Sequence, residues 1–208
     1  MKAKNKRLLG RPPLSEQKKP TNLIILHGAT HLFLTNGFQD VSVDDIAKEC
    51  NVTKATVYYY YESKAALFTE AMVQMMVQIR NYMESILRED EPFRSRLHKI
   101  TMAHLKATFD IDLDGFLRET KNTLSKEQLL QMQNAEIQMF DLLENAFIEA
   151  IAKEEIPKVN TRFATHSYLA LLKIGNYRNL DQTPIFSSVE ETTDKIIDFF
   201  WNGLFAHH

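Results

Sequence analysis

Apolar residues recur at helical spacing along most of this chain, and capping residues punctuate the pattern. Between Asn22 and Asn36, Leu23, Leu26, Ala29, Leu32 and Phe33 predict one helix, and Gly37 stands where a helix-ending residue of positive φ is needed. Ser42 is a good N-cap for a short helix with Val43, Ile46 and Ala47 inward and Asp44 and Asp45 in its first turn, where acids favour the helix dipole. That helix ends at Cys50 and Asn51, and Asn adopts the positive φ of a sharp turn more readily than most residues. Thr53 caps a further helix of about two turns, in which Val57 and Tyr60, three apart, are the expected inward anchors. Ser63 caps a long helix to about Arg88, with Leu67, Ala71, Val73, Met76, Ile79, Met83, Ile86 and Leu87 apolar.

Ser42 to Lys64 therefore reads as two helices joined by a tight turn, the arrangement that presents one helix to a DNA groove. In that docking the N-terminal end of the second helix, Lys54, Ala55 and Thr56, points at the bases. Lys64, beside free amides at a helix start, is placed to anchor a phosphate. The candidate DNA-contacting set is Ser42, Thr53, Lys54, Ala55, Thr56, Tyr58, Tyr59 and Lys64. Capped helix pairs also occur in helical domains that touch no nucleic acid, so the pattern alone leaves both readings open.

The same stretch resembles the TetR family of transcriptional regulators. The residues that carry the resemblance are Ala29, Leu32 and Phe33, then Gly37 and Phe38, then Val41, Ser42 and Val43, then Ile46 and Ala47, and then Asn51 to Lys54, Thr56 to Tyr58, Tyr60, Tyr61, Ser63, Lys64 and Leu67. Asn51 stands where the family usually has Gly, and Tyr61 where it usually has Phe, so a hydroxyl needs a partner at an otherwise buried position. By the resemblance, Tyr58 and Tyr59 face DNA and Tyr60 faces the core.

Beyond the long helix, Pro92 suits the first turn of a fifth helix to about Phe109, and a short helix is expected around Phe116 to Thr120. Ser125 caps a segment to about Lys153 with Leu129, Met132, Ile137, Phe140, Leu143, Phe147 and Ile151 inward, and Pro157 closes it. Two helices follow, Thr161 to about Asn176 and Val189 to about Leu204. The fold class is all-α with about nine helices. The expected domains are a basic, disordered arm over 1–20, a helix-turn-helix domain over 21–66, and a ligand-binding and dimerisation domain over 67–208.

The resemblance implies that the last two helices pair with a second subunit, with Phe163, Leu171, Ile197, Phe200, Trp201 and Leu204 at the homodimer contact. Completing the monomer's own core is the other use for such residues. The resemblance also implies a small-molecule inducer inside the body, against Met76, Phe93, Phe109, Phe116, Met132, Phe140 and Tyr168. Thioethers and flat rings suit a reshapeable cavity, though they suit a plain helical core as well. His98, His104 and His166 are polar groups available to orient a ligand, but His98 and His104 are six apart and do not share a face as i, i+4 metal ligands do.

Charge adds a second DNA signal. Residues 1–20 hold seven Lys and Arg against one Glu, an excess of +6 in a chain of net charge −2. A basic arm ahead of a helix-turn-helix adds phosphate contacts, and Gly10, Arg11, Pro12 and Pro13 resemble the core of an AT-hook, with Arg11 available to a narrow A·T groove. A solvated tail whose prolines prevent helix is the plainer reading. With 44% hydrophobic residues and only six Gly and six Pro, the composition fits a helical protein. No apolar run approaches the roughly 20 residues of a membrane span, and no leader pattern opens the chain, so a cytoplasmic protein is expected. The single cysteine, Cys50, permits no intrachain disulfide and is read as core packing. No spacing suggests a nucleophile, base and orienter, and neither catalytic residues, metal nor cofactor are expected. The leading expectation is a dimeric repressor released from a palindromic double-stranded DNA operator by ligand. A helical ligand-binding protein or enzyme with a vestigial head, and an architectural DNA binder led by the arm, are the alternatives.

Overall fold

The computed structural model describes residues 20–108 and 123–205, apart from positions 178, 180 and 182. Among the described residues there are eight helices: α1 (Thr21–Asp40), α2 (Val43–Glu49), α3 (Lys54–Tyr60), α4 (Lys64–Leu87), α5 (Phe93–Thr108), α6 (Lys126–Ala152), α7 (Thr161–Gly175) and α8 (Val189–Phe205). The short helix expected around Phe116 lies outside the described residues, as do the arm and Phe109.

Local chemistry sets the boundaries. Gly37, at φ 82° and ψ 164°, breaks α1 before its last turn, which lets Phe38 swing inward. Ser42 accepts from the Asp45 amide while the Asp45 carboxylate accepts from the Ser42 amide, a reciprocal cap on α2. Asn51 takes φ 52° in the turn to α3. Thr53, Ser63, Ser125 and Asn160 cap α3, α4, α6 and α7 through their side chains.

Two cores stack along α4. The head core joins Ile25, Ala29, Phe33, Phe38, Ile46 and Val57 to Leu67, Phe68, Ala71 and Met72 of α4. Phe33, Phe38 and Phe68 meet with ring centroids 4.9 to 5.8 Å apart, two of the three pairs edge to face. This core runs past residue 66 and also takes in Leu124, just ahead of α6, and Met132 within it. The Gln39 amide donates to Thr123 Oγ1 at 3.2 Å across the same junction. The head is thus seated on α6 as well as carried by α4.

The body core gathers Met83, Ile86 and Leu87 of α4 with Phe93, Leu97, Phe147, Tyr168, Ile197 and Phe200. Arg96, buried on α5, fastens three chain segments. Its guanidinium donates to the Leu87 carbonyl at 2.7 Å and to both Glu155 oxygens at 2.6 and 2.7 Å, and Glu155 also accepts from the Phe93 amide. The end of α4, the start of α5 and the link after α6 are therefore fixed together. Ile79 and Ile137, expected to point inward, are exposed, each standing on the solvent side of its helix. No helix among the described residues is long and apolar enough to cross a membrane.

Candidate nucleic-acid interface

Helix α3 has seven residues, too few to bury a full face, and only Val57 is buried. Lys54, Ala55, Tyr58 and Tyr59 recur at one-and-four spacing on the opposite side, so all four face solvent together. Tyr59 is 81% exposed, and its ring meets that of Tyr60 edge to face at 5.0 Å. Tyr60 itself is 43% exposed, which corrects its expected place in the core. The reason is local: the backbone leaves the helix at Tyr61, with φ −135° and ψ 117°, and turns that ring inward instead. Tyr61 packs against the head core, and its hydroxyl donates to the Asn22 carbonyl at 3.1 Å. The departure from the family's Phe thereby finds its partner, and burial raises the phenol pKa.

The other expected DNA contacts divide by what their polar atoms already do. Ser42 Oγ is 2.5 Å from the Asp45 carboxylate, and Thr53 Oγ1 accepts from the Thr56 amide and sits 2.8 Å from Thr56 Oγ1. These hydroxyls hold the helix starts in place. Lys54 Nζ donates to Asp44 at 2.6 Å, a hydrogen bond that raises the lysine pKa and ties α3 to α2. Lys64 is the clearest correction. Its ammonium, half-buried, donates to the carbonyls of Phe38 at 2.8 Å, Val41 at 2.9 Å and Gln39 at 3.4 Å, and it lies 4.3 Å from the Phe38 ring centroid. These three carbonyls, in the last turn and C-cap of α1, occupy all three N–H groups, so the side chain closes the head instead of pointing at a phosphate. Burial lowers its pKa. Arg11 lies outside the described residues. Neither α1 nor α3 carries an acid in its first turn, whereas α2 does.

Cys50 is half-buried, its sulfur 3.5 Å from the Ile24 carbonyl. It fills a notch that exists because residue 28 of α1 is glycine: a Cβ there would stand 2.5 Å from Sγ. Burial raises the thiol pKa, which disfavours the reactive thiolate. Nothing in the sequence pattern flags this pairing, since the two residues are 22 positions apart.

Those of the residues expected to line an inducer cavity that are described divide between the two cores, Phe140 apart. Phe93 and Tyr168 are packed in the body core, Phe93 against Phe147 at 5.0 Å and Tyr168 bonded to Thr101 at 2.9 Å. Met132 belongs to the head core, Met76 packs at its edge, and the Phe140 ring meets that of His166 at a tilt, with centroids 4.3 Å apart. Phe116, like Phe109, lies outside the described residues. Surface clefts of about 370 and 480 Å³ lie on the two sides of α5, the first against α4 and the second against α8, and His98 and Lys99 line both. His98 pairs with Asp194 of α8 at 2.8 Å. No group of three or more His, Cys, Asp or Glu among the described residues is arranged to hold a metal.

The expected dimer contacts also divide. Ile197 and Phe200 are buried within the monomer's own core and are corrected to that role. Leu171, Trp201 and Leu204 are half-buried against it. Phe163 on α7 and Phe199 on α8 are 62% and 70% exposed, and Ile174 is exposed on the same side of α7 as Phe163. Phe199, which sequence reasoning missed, is revealed only because its neighbour Phe200 takes the inward position.

Residues 25–71 match the family described as bacterial regulatory proteins, tetR family. The uncharacterised HTH-type transcriptional regulator YhgD of Bacillus subtilis is 22% identical over 154 residues, 72% of this chain and 81% of that protein. The negative regulator IcaR of the icaADBC biofilm operon of Staphylococcus aureus is 35% identical over 48 residues, 23% of this chain and 26% of its own length. Among solved structures, the transcriptional regulator FadR from Bacillus subtilis in complex with stearoyl-CoA superposes with a TM-score of 0.70 at 16% identity, over 88% of this chain and 98% of that one. With a helix-turn-helix head of this geometry in the matched region, residues 25–71 are the DNA-binding head of a tetR-type transcriptional regulator, carried on a body whose fold is shared over nearly the whole chain with solved regulators.

Proposed function

We propose that the chain is a homodimeric repressor that sets two α3 helices into successive major grooves of a palindromic operator and lets go when a small molecule binds its body. The observation that carries the DNA-reading part is the solvent-facing set Lys54, Ala55, Tyr58 and Tyr59, mounted on a head whose caps and ring packing hold it rigid. Tyr60, beside them, adds a hydroxyl able to meet a phosphate or base. Phe163, Ile174 and Phe199 support pairing through α7 and α8, since exposed aromatic and aliphatic side chains on adjacent helices are costly to leave in water. A two-fold pair would place its recognition helices about 34 Å apart, one turn of B-DNA.

Release requires an effector that prefers the non-binding arrangement by several kcal/mol, since equal affinity for both arrangements shifts nothing. The seating of the head on α6 through Leu124 and Met132 gives a route by which a body movement displaces it. The FadR structure with stearoyl-CoA makes long-chain acyl-CoA the first effector to try. Such a regulator acts where the chromosome is, and its chemistry is binding without catalysis.

Selection of duplexes from a random library by the full chain tests the DNA reading, followed by gel shift with and without acyl-CoA. A two-fold consensus bound at nanomolar concentration supports it, and recovery of sequences without a consensus would refute it.

A further inference from the structure

Helix α3 carries one charged residue, Lys54, and the fold neutralises it. The Lys54 ammonium donates to an Asp44 carboxylate oxygen at 2.6 Å, with the two side chains 51% and 55% exposed. Lys64, at the start of the next helix, is engaged by three backbone carbonyls. The surface made by Lys54, Ala55, Tyr58 and Tyr59, taken with Asp44, therefore has no net charge. That is unexpected for a surface that approaches a polyanion, because phosphate neutralisation by Lys and Arg supplies a large share of protein–DNA affinity.

Asp44 is not needed to build the helix on which it stands. The cap of α2 is made by Ser42 and Asp45, which bond reciprocally through amide and side chain. What remains to Asp44 locally is the small favourable effect of an acid in a first turn, which Asp45 shares. Its distinct contact is the one across to α3, ten positions further along the chain. In helix-turn-helix docking the first helix crosses the phosphate backbone and the second enters the groove by its N-terminal residues. The Asp44–Lys54 pair joins the first turn of α2 to the first residue of α3, so it stands at the edge where both helices would meet DNA.

We propose that Asp44 sets the affinity of the head for DNA, by holding Lys54 in the free protein and yielding it to a phosphate when α3 enters a groove. The proposal rests on the regulator reading above. The exchange is easy because an exposed ion pair is worth little in water and a phosphate offers the lysine an equivalent oxygen. What it leaves behind is an unpaired carboxylate facing a polyanion. That penalty falls on every duplex, since a phosphate contact carries no sequence information. Asp44 thus lowers binding to DNA in general and leaves discrimination to the base contacts of α3.

The test uses the full chain on its selected operator and on a random duplex, with fluorescence anisotropy over a range of salt. Asp44→Asn keeps the shape of the side chain and removes its charge. It is expected to bind both duplexes about fivefold more tightly for each head engaged, the scale of one exposed ion pair. The slope of log K against log salt should steepen by about 0.9 per head. The melting temperature should fall slightly through loss of a first-turn acid, so tighter binding by a less stable head separates the charge effect from a structural one. Lys54→Gln should move affinity and slope the opposite way. The Asp44→Asn, Lys54→Gln double variant, whose pair again has no net charge, should return both close to wild type. Unchanged or weaker binding by Asp44→Asn, a gain confined to certain base sequences, or a double variant that keeps the whole gain would overturn the proposal and leave the operator reading intact. Failure to select any operator would remove the operator reading, and this one with it.

Discussion

Lys64 provides the sharpest test of how the head is built, because a phosphate anchor and a carbonyl clamp respond differently to one substitution. Lys64→Met keeps most of the stem and removes the three donors. Two of the bonds it deletes are short, at 2.8 and 2.9 Å, and the third, at 3.4 Å, is marginal. A hydrogen bond from a charged donor is worth about 1.5–3 kcal/mol, and the carbonyls of Phe38 and Val41 lie where few other donors reach them. Desolvation of the ammonium, visible in its lowered pKa, offsets part of this. The expected net loss is about 2–4 kcal/mol of unfolding free energy, read by urea titration followed by far-ultraviolet circular dichroism. Operator affinity should be measured at low temperature, where the variant stays folded. The salt slope there should match wild type, because no phosphate contact has been removed. Stability within about 0.5 kcal/mol of wild type, together with a slope smaller by about 0.9 per protomer, would show that Lys64 serves DNA and that the clamp is incidental.

Other expectations are brief. Gly28→Ala should destabilise by about 1–3 kcal/mol through its 2.5 Å approach to the Cys50 sulfur; the Gly28→Ala, Cys50→Ala double variant should recover that loss, and additive losses in a double-mutant cycle would refute the notch. Phe199→Asp should leave the monomer fold intact by circular dichroism and shift light-scattering mass from dimer to monomer; an unchanged mass would exclude α8 from the pairing surface. Burial lowers the folded pKa of His104 below its ordinary 6.5, so the unfolded chain binds the extra proton more readily. Stability should accordingly be lost as pH falls through and below 6.5, and His104→Gln should flatten that part of the profile in thermal melts; an unchanged profile would show that another group titrates there.

The capped starts of α2, α3, α4 and α6 were legible because a cap is local: Ser42, Thr53, Ser63 and Ser125 act within three residues of themselves. Asn51 and Gly37 were legible for the same reason, since positive φ is a property of one residue. Helical spacing was less decisive where a helix is short or has two apolar neighbours. Val57 admits an inward partner at either the third or the fourth position, and only the extended backbone at Tyr61 chose the fourth and left Tyr60 outside. Phe199 and Phe200 pose the same choice, and packing against Phe147 and Tyr168 took Phe200 inward.

By itself the sequence determined an all-helical chain, a helix-turn-helix near its N-terminus and a positive charge gathered ahead of that head. Each of these depends on residues close together along the chain. Tertiary structure alone decided which polar atoms remain free to meet a ligand. Lys64 looked available at a helix start until three carbonyls 23 to 26 residues away were folded onto it, and Met132 looked like cavity lining until α6 was laid against the head. A hydrogen-bonding group or an apolar surface serves whatever reaches it first, and what reaches it is set by the fold.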